Sequence, residues 1–242
     1  MEIVYEDSEI AVCVKPAGMS SEADGGRGVP DVLAAYFREK SQPEGVFTVH
    51  RLDREASGLI VYARTKKAAA SLSEQIRDGA FVKEYEALVC GEPVPEEGEL
   101  RDFLFKDSSK NKVFTVKRMR KGVREAVLKY ETPGKFTQDG KTFSLVHAVM
   151  ETGRTHQIRV QFASRGLPVL GDLKYGGPAL KRGCIALQAV RLSFRHPGSG
   201  EQAVFERPLD VSDYLAERDI PESERDIPEL ERDAIPEEEA RK

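Results

Sequence analysis

The chain has 242 residues, 40% of them apolar and 32% charged, with a net charge of −4. It is long enough to bury a sizeable core as one large domain or two small ones, and no apolar run approaches the roughly 18 residues that a membrane helix needs. The acidity is uneven: residues 211–242 hold 12 Asp/Glu and five Lys/Arg, whereas the other 210 carry 32 basic and 29 acidic side chains, so the body tolerates a polyanionic partner.

In chain order, "MEIVYEDSEIAVCVK" predicts a hairpin turning at Asp7-Ser8. Acidic and strand-like, it is not a secretory signal. "KPAGMSSEADGGRG" is a loop, and the helix after it has Pro30 in its first turn and a stripe of Val32, Leu33, Tyr36 and Phe37. Residues 46–49 and 59–63 read as strands around "HRLDREASG". "TKKAAASLSEQIRDG" is a helix capped by Thr65 and ended by Gly79. "FVKEYEALVCG" is a strand, and residues 94–140 read as strands and hairpins that carry a strongly basic segment, 106–124. After the strand "KTFSLVHAVM", the stretch "TGRTHQIRVQFASRG" is a loop entering a helix that Gly166 stops; "IALQAVRLSF" and "AVFERP" are late strands. Strands follow one another more often than they alternate with helices. The expectation is an α+β fold, a largely antiparallel mixed sheet with flanking helices.

Cys13, Cys90 and Cys184 are odd in number and far apart, which predicts reduced thiols in a cytoplasmic protein; no Cys or His pair has ligand spacing, so no metal is expected. At the end, "ERDIPES", "ERDIPEL" and "ERDAIPEEE" repeat one phrase. Proline prevents a continuous helix and charge prevents a core, so a body over residues 1–210 and a disordered acidic tail over 211–242 are expected.

Three residues ask for explanation. A helix through "RTHQIRVQFASRG" puts Arg159 between Phe162 and Ala163, within the apolar face, where a guanidinium needs a carboxylate partner unless it snorkels to water. Tyr85 shares a strand face with Phe81, Ala87 and Val89, as a core tyrosine would. Asp53 stands at a strand end between two arginines; it is either a turn-forming aspartate or a carboxylate kept ionised by positive charge. Taken singly, each has an ordinary structural explanation.

Together with their surroundings they resemble one family. "HRLDREASG" resembles the signature of the RluA-type RNA pseudouridine synthases, His-Arg-Leu-Asp, two variable residues and Thr-Ser-Gly. "KPAGM" is similar to the family's early Lys-Pro-x-Gly loop, "KEYEALVCG" to its Lys-x-Tyr-x-Ala segment, and "TGRTHQIRVQFASRGLPVLGDLKYGG" to its pattern almost throughout. "LSFRHPGSG" and "FERPL" look like its closing strands, so the likeness runs in order over residues 2–210. Ala56 stands in place of the usual Thr, and Gln188 where many members have His. The core already begins at Ile3, so the small front RNA-binding domain of many relatives is not expected.

The resemblance implies the pseudouridine synthase fold, with a central catalytic cleft, and an enzyme that isomerises uridine in structured rRNA or tRNA to pseudouridine without metal, redox cofactor or ATP. Asp53 is then the catalytic carboxylate, attacking the ribose or removing a sugar proton; Arg159 is its ion-pair partner. Tyr85 stacks on the detached uracil and assists proton transfer, and Ile158 is a wall for the base. Arg51 fills the space left by the flipped base, and His50 orients the loop. Lys15 meets phosphate, as do Lys110, Lys112, Lys117, Arg118, Arg120 and Lys121 of the basic segment. The expected partner is an RNA stem-loop met by a monomer. The rival readings are an RNA-binding protein that has lost catalysis, and a carboxylate-based glycoside hydrolase using Glu55 or Glu151 as a second carboxylate.

Overall fold

The computed structural model describes residues 1–180 and 184–215. Within them eleven strands join in one sheet: β1 (Glu2–Glu6), β2 (Ile10–Lys15), β3 (Phe47–Thr48), β4 (Ser57–Ala63), β5 (Val82–Cys90), β6 (Gly98–Asp107), β7 (Lys112–Val116), β8 (Val123–Gln138), β9 (Lys141–Met150), β10 (Leu187–Arg195) and β11 (Gln202–Glu206). The order is β1-β2-β4-β10-β5-β9-β8-β6-β7, with β3 added to β4 and β11 to β10. All pairings are antiparallel except β4 with β10. The expected α+β class and mixed sheet are present. Of the strand expected over 46–49 only Phe47–Thr48 forms, because its partners on β4 are limited to Tyr62 and Ala63.

Period-two alternation sorts the core onto two faces. Ala11, Cys13, Ile60, Tyr62, Tyr85, Ala87, Val146 and Ala148 face the front, where α1 (Val29–Glu39) adds Leu33 and Phe37 and α3 (Gln157–Ala163) adds Ile158 and Phe162. Val12, Leu59, Val61, Leu192 and Phe194 face the back, where α2 (Lys66–Arg77) adds Ala68 and Leu72. A second back-face cluster unites Leu88, Phe143 and Leu145 with Leu209, Val211 and Leu215. The packed body thus continues five residues past the expected boundary at 210; the remainder of the expected tail, 216–242, lies outside the described residues.

β4 and β10 run together for only two pairs, Ser57–Gln188 and Gly58–Ala189, before they part and take β3 and β11 as separate partners. That seam needs glycine. Gly58 has φ +112°, and a Cβ there would lie 2.3 Å from the Ala189 carbonyl oxygen. The Ser57-Gly58 of the sequence motif is therefore the joint that brings the two halves of the sheet together.

α3 departs from expectation in an instructive way. It is seven residues long, and Gln157 to Phe162 are all buried, so it has no solvent face for an apolar stripe to oppose. Its glutamine amide groups donate internally, although Gln161 Oε1 is buried without a partner. Gln157 Nε2 donates to the Val127 carbonyl at 3.0 Å, and Gln161 Nε2 donates to the Leu100 carbonyl at 3.1 Å and to Asp102 at 2.8 Å.

Candidate active site

Asp53 sits on the turn that precedes β4, where Ala56 N–H donates to the Asp53 carbonyl at 3.2 Å. This turn is clamped from below by the "KPAGMSS" loop. Gly18 N–H donates to the Arg54 carbonyl at 2.7 Å, and Ser21 Oγ both donates to the Leu52 carbonyl and accepts from its N–H. Lys15 corrects an expectation. It is fully buried, its Nζ donates to the carbonyls of Pro16, Met19 and Arg54 at 3.0–3.1 Å, and burial draws its pKa down to about 8. All three ammonium hydrogens are used, so Lys15 has none left for a phosphate; it fixes the turn that carries Asp53.

Across the turn lies Arg159, whose side chain is 1% exposed. Its Nη1 donates to Asp53 Oδ2 at 3.1 Å and to Glu55 Oε2 at 3.0 Å. The sequence reading expected the first contact but missed the dominant one: Nε and Nη2 fork onto both oxygens of Asp172, at 2.6 and 2.9 Å. Asp172 is itself 1% exposed. A planar fork of this kind fixes guanidinium orientation, leaving Nη1 aimed at the two carboxylates of the turn. Burial alone would disfavour the cation, but Asp172, Asp53 and Glu55 outweigh it and raise the pKa. Burial likewise opposes ionisation of Glu55, yet its own backbone N–H, Arg159 and Lys174 hold it below the usual carboxylate range. The only sequence signal for Asp172 was a carboxylate inside "LPVLGDLKYGG", a stretch too irregular to place it beside a helix.

Asp53 and Arg159 line an open cleft of about 840 Å³. Tyr85, on β5, forms part of its floor; burial first and the charge of Asp53 second raise the pKa of its hydroxyl, so the phenol stays protonated. Ile158 is buried in the wall. Arg51 reaches out at the mouth, with its nearest carboxylate, Glu22, 3.7 Å away. His50 is buried behind the turn, its Nε2 accepting from Val61 N–H at 3.2 Å, a place that suits an orienting residue. His156, a lining residue the sequence reading left out, has φ +52° and joins its Nδ1 to the Tyr175 hydroxyl at 2.8 Å.

The basic segment runs along the hairpins of β6, β7 and β8, and its Lys106 and Asn111 border a hollow beside the turn. Lys110, Lys117, Arg118, Arg120 and Lys121 are exposed, and Lys112 is half-buried beside Phe114 and Tyr175. Lys106, at its start, reaches the cleft itself. Among the described residues no group of three or more His, Cys, Asp or Glu has a metal-holding arrangement, and no helix is long and apolar enough to cross a membrane.

A family profile described as RNA pseudouridylate synthase matches residues 9–164, which include the turn, Tyr85 and all of α3. The chain belongs to that family. A ribosomal large subunit pseudouridine synthase D from Neisseria meningitidis serogroup B is 35% identical over 229 residues, which cover 88% of this chain and 59% of the relative. The chain thus spans well under two thirds of that protein's length. An uncharacterized RNA pseudouridine synthase, YlyB of Bacillus subtilis, is 35% identical over 86% of this chain and 69% of its own length. The solved structure of human RNA pseudouridylate synthase domain containing 4 superposes with a TM-score of 0.70 at 25% identity, over 86% of this chain and 88% of that one. The family's fold is therefore the fold of this chain.

Proposed function

We propose that this chain isomerises uridine in RNA to pseudouridine, with Asp53 as the catalytic carboxylate. The observation that carries the reading is the Asp53 carboxylate in an open cleft, 3.1 Å from a buried guanidinium whose other donors are already committed to Asp172. Such a carboxylate is held in place and kept company by positive charge, as either a nucleophile at the ribose or a base toward a sugar proton requires. In the overall reaction the bond from N1 to the sugar breaks, a bond from C5 forms, and the C5 proton leaves as N1 gains one; atoms balance without a cofactor.

The other lining residues divide the work by their chemistry. A protonated Tyr85 offers a ring for stacking and a hydroxyl that relays a proton rather than an anion that removes one. Ile158 packs against the base. Arg51, exposed at the mouth and weakly held, is free to enter the stack that a flipped uridine vacates. Lys110, Lys112, Lys117, Arg118, Arg120 and Lys121 position RNA through its phosphates. The substrate class is a structured rRNA or tRNA stem-loop, met by a monomer in the cytoplasm; the relatives named for the ribosomal large subunit make rRNA the first RNA to test.

Asp53→Asn tests the reading. It keeps the size of the side chain and much of its hydrogen bonding. The expected outcome is loss of pseudouridine, measured by nucleoside analysis and by mapping total RNA from cells carrying the variant, with RNA binding retained. A variant that makes pseudouridine at the normal rate overturns the assignment.

A further inference from the structure

Lys83 lines the same cleft. It shares a face of β5 with Tyr85 and lies one strand repeat, about 6.7 Å, further along. Its ammonium rests against the loop before α3: a methyl group built on Gly153 would sit 3.5 Å from Nζ. Lys106 also lines the cleft, but it is exposed and hydrated; the buried lysine and arginine in and behind the cleft walls have acceptors, as does the exposed Arg154. Lys15 has three carbonyls, Arg159 three carboxylates, and Arg154 Nε donates to the Glu125 carbonyl at 2.9 Å. Among the described residues Lys83 Nζ has neither a carboxylate nor a carbonyl.

His50 makes the imbalance larger. Burial, with a smaller contribution from the charge of Lys83 nearby, draws its pKa down to about 3, so the ring is neutral. Its Nε2 accepts from Val61 N–H, which puts the ring proton on Nδ1. That Nδ1 is buried and has no partner. This wall of the cleft therefore holds two donors in excess and no acceptor to meet either. Desolvation lowers the pKa of Lys83, with no anion to offset it. A partly dehydrated cation without a counter-charge is unfavourable. Facing an open cleft, it is matched by an anion that arrives with the substrate.

The geometry points to Lys83 as a phosphate anchor: its ammonium takes a backbone phosphate of the RNA strand that presents the uridine, adjoining the nucleotide whose base reaches Tyr85. This rests on reading the cleft as an RNA site and adds a fixed point inside it. The lysines of the β6–β7–β8 hairpins are hydrated and hold RNA at a distance. Lys83 holds the strand within one strand repeat of the chemistry, so it is a positioning residue that sets which nucleotide enters.

The test uses the full chain carrying Asp53→Asn, which binds without turnover, and an oligouridylate as probe. In that background Lys83→Gln lowers the log–log slope of affinity against salt by about 0.7, the loss of one phosphate contact on a single strand, and Lys83→Arg restores it. A Lys83→Gln protein with an unchanged slope, whatever its melting temperature, overturns the anchor while leaving the RNA reading intact. If the Asp53→Asn parent binds no oligouridylate, the RNA reading falls and the anchor with it. Should Lys83→Gln fail to fold, the parent decides through the titration of Lys83 in carbon-13-labelled lysine by NMR. A pKa that rises on addition of oligouridylate supports the anchor, and an unmoved one overturns it.

Discussion

One guanidinium in the cleft wall serves three carboxylates, and the division of labour among them is unequal. Asp172, buried, takes two of the donors of Arg159, and Asp53 shares the last with Glu55. Asp172→Asn removes the charge from a buried pair and is expected to destabilise the fold by about 3–5 kcal/mol, read by urea unfolding. An unfolding midpoint equal to that of the wild type would show that Arg159 finds its balance elsewhere. Arg159→Lys keeps the charge but loses the fork, so Asp53 is no longer held at one distance; turnover should fall by about 100-fold or more with RNA affinity little changed. A loss of less than tenfold would mean that charge alone suffices. At this scale Asp53, Tyr85 and Arg159 each had an ordinary explanation in the sequence and stood out only through their joint resemblance to one family; the expected contact of Asp53 with Arg159 is present at 3.1 Å. The sequence concealed Asp172, since nothing in a spacing of 13 residues says that a loop will fold back under a helix. It misled about Lys15, because a lysine beside Pro and Gly looks like a surface lysine until the carbonyls around it are known.

Helices were legible where one face differs from the other, as in α1 and α2, and β2 and β4 were legible as short apolar runs, which the sheet buries on both faces; each formed close to where the sequence put it. α3 broke the rule because burial on every side removes the contrast that periodicity detects. Two features of the sheet make predictions of their own. Gly58→Ala places a methyl group against the Ala189 backbone at a positive φ and should destabilise the seam by on the order of 1–3 kcal/mol. A neutral effect on thermal unfolding would require β10 to sit further away. On the back face, His147 lies between Glu84 at 3.0 Å and Glu86 at 3.7 Å, with Arg191 also bound to Glu84. The hydrogen bond to Glu84 first, and the nearby Glu86 carboxylate second, raise its pKa to about 9. Because the folded pKa is raised, its stabilisation is complete below the unfolded value near 6.5 and is lost as pH climbs through about 9, at most about 3 kcal/mol. The stability gap between wild type and His147→Gln should therefore narrow over that interval in urea titrations. A gap that stays constant would assign the effect to packing.

For the molecule as a whole, the body packs through Leu215 while the repeated acidic phrases beyond it offer no apolar stripe. Deletion of residues 217–242 should change unfolding free energy by less than about 0.5 kcal/mol, and a larger loss would show that the segment docks on the body. The order of strands bears on something other than the finished fold. β10 lies between β4 and β5 in the sheet, yet nine strands precede it in the chain. As a ribosome releases the polypeptide, β1–β4 and β5–β9 emerge as two half-sheets, each with a bare edge where β10 belongs. Pairings of such long sequence separation are the slowest to form, and unpaired edges invite association with other chains. Asp53 belongs to the first half and Tyr85 to the second, so neither half holds a complete cleft. A nascent chain cut short before Leu187 is a pair of adhesive fragments, and the cleft is completed when the late strand is inserted.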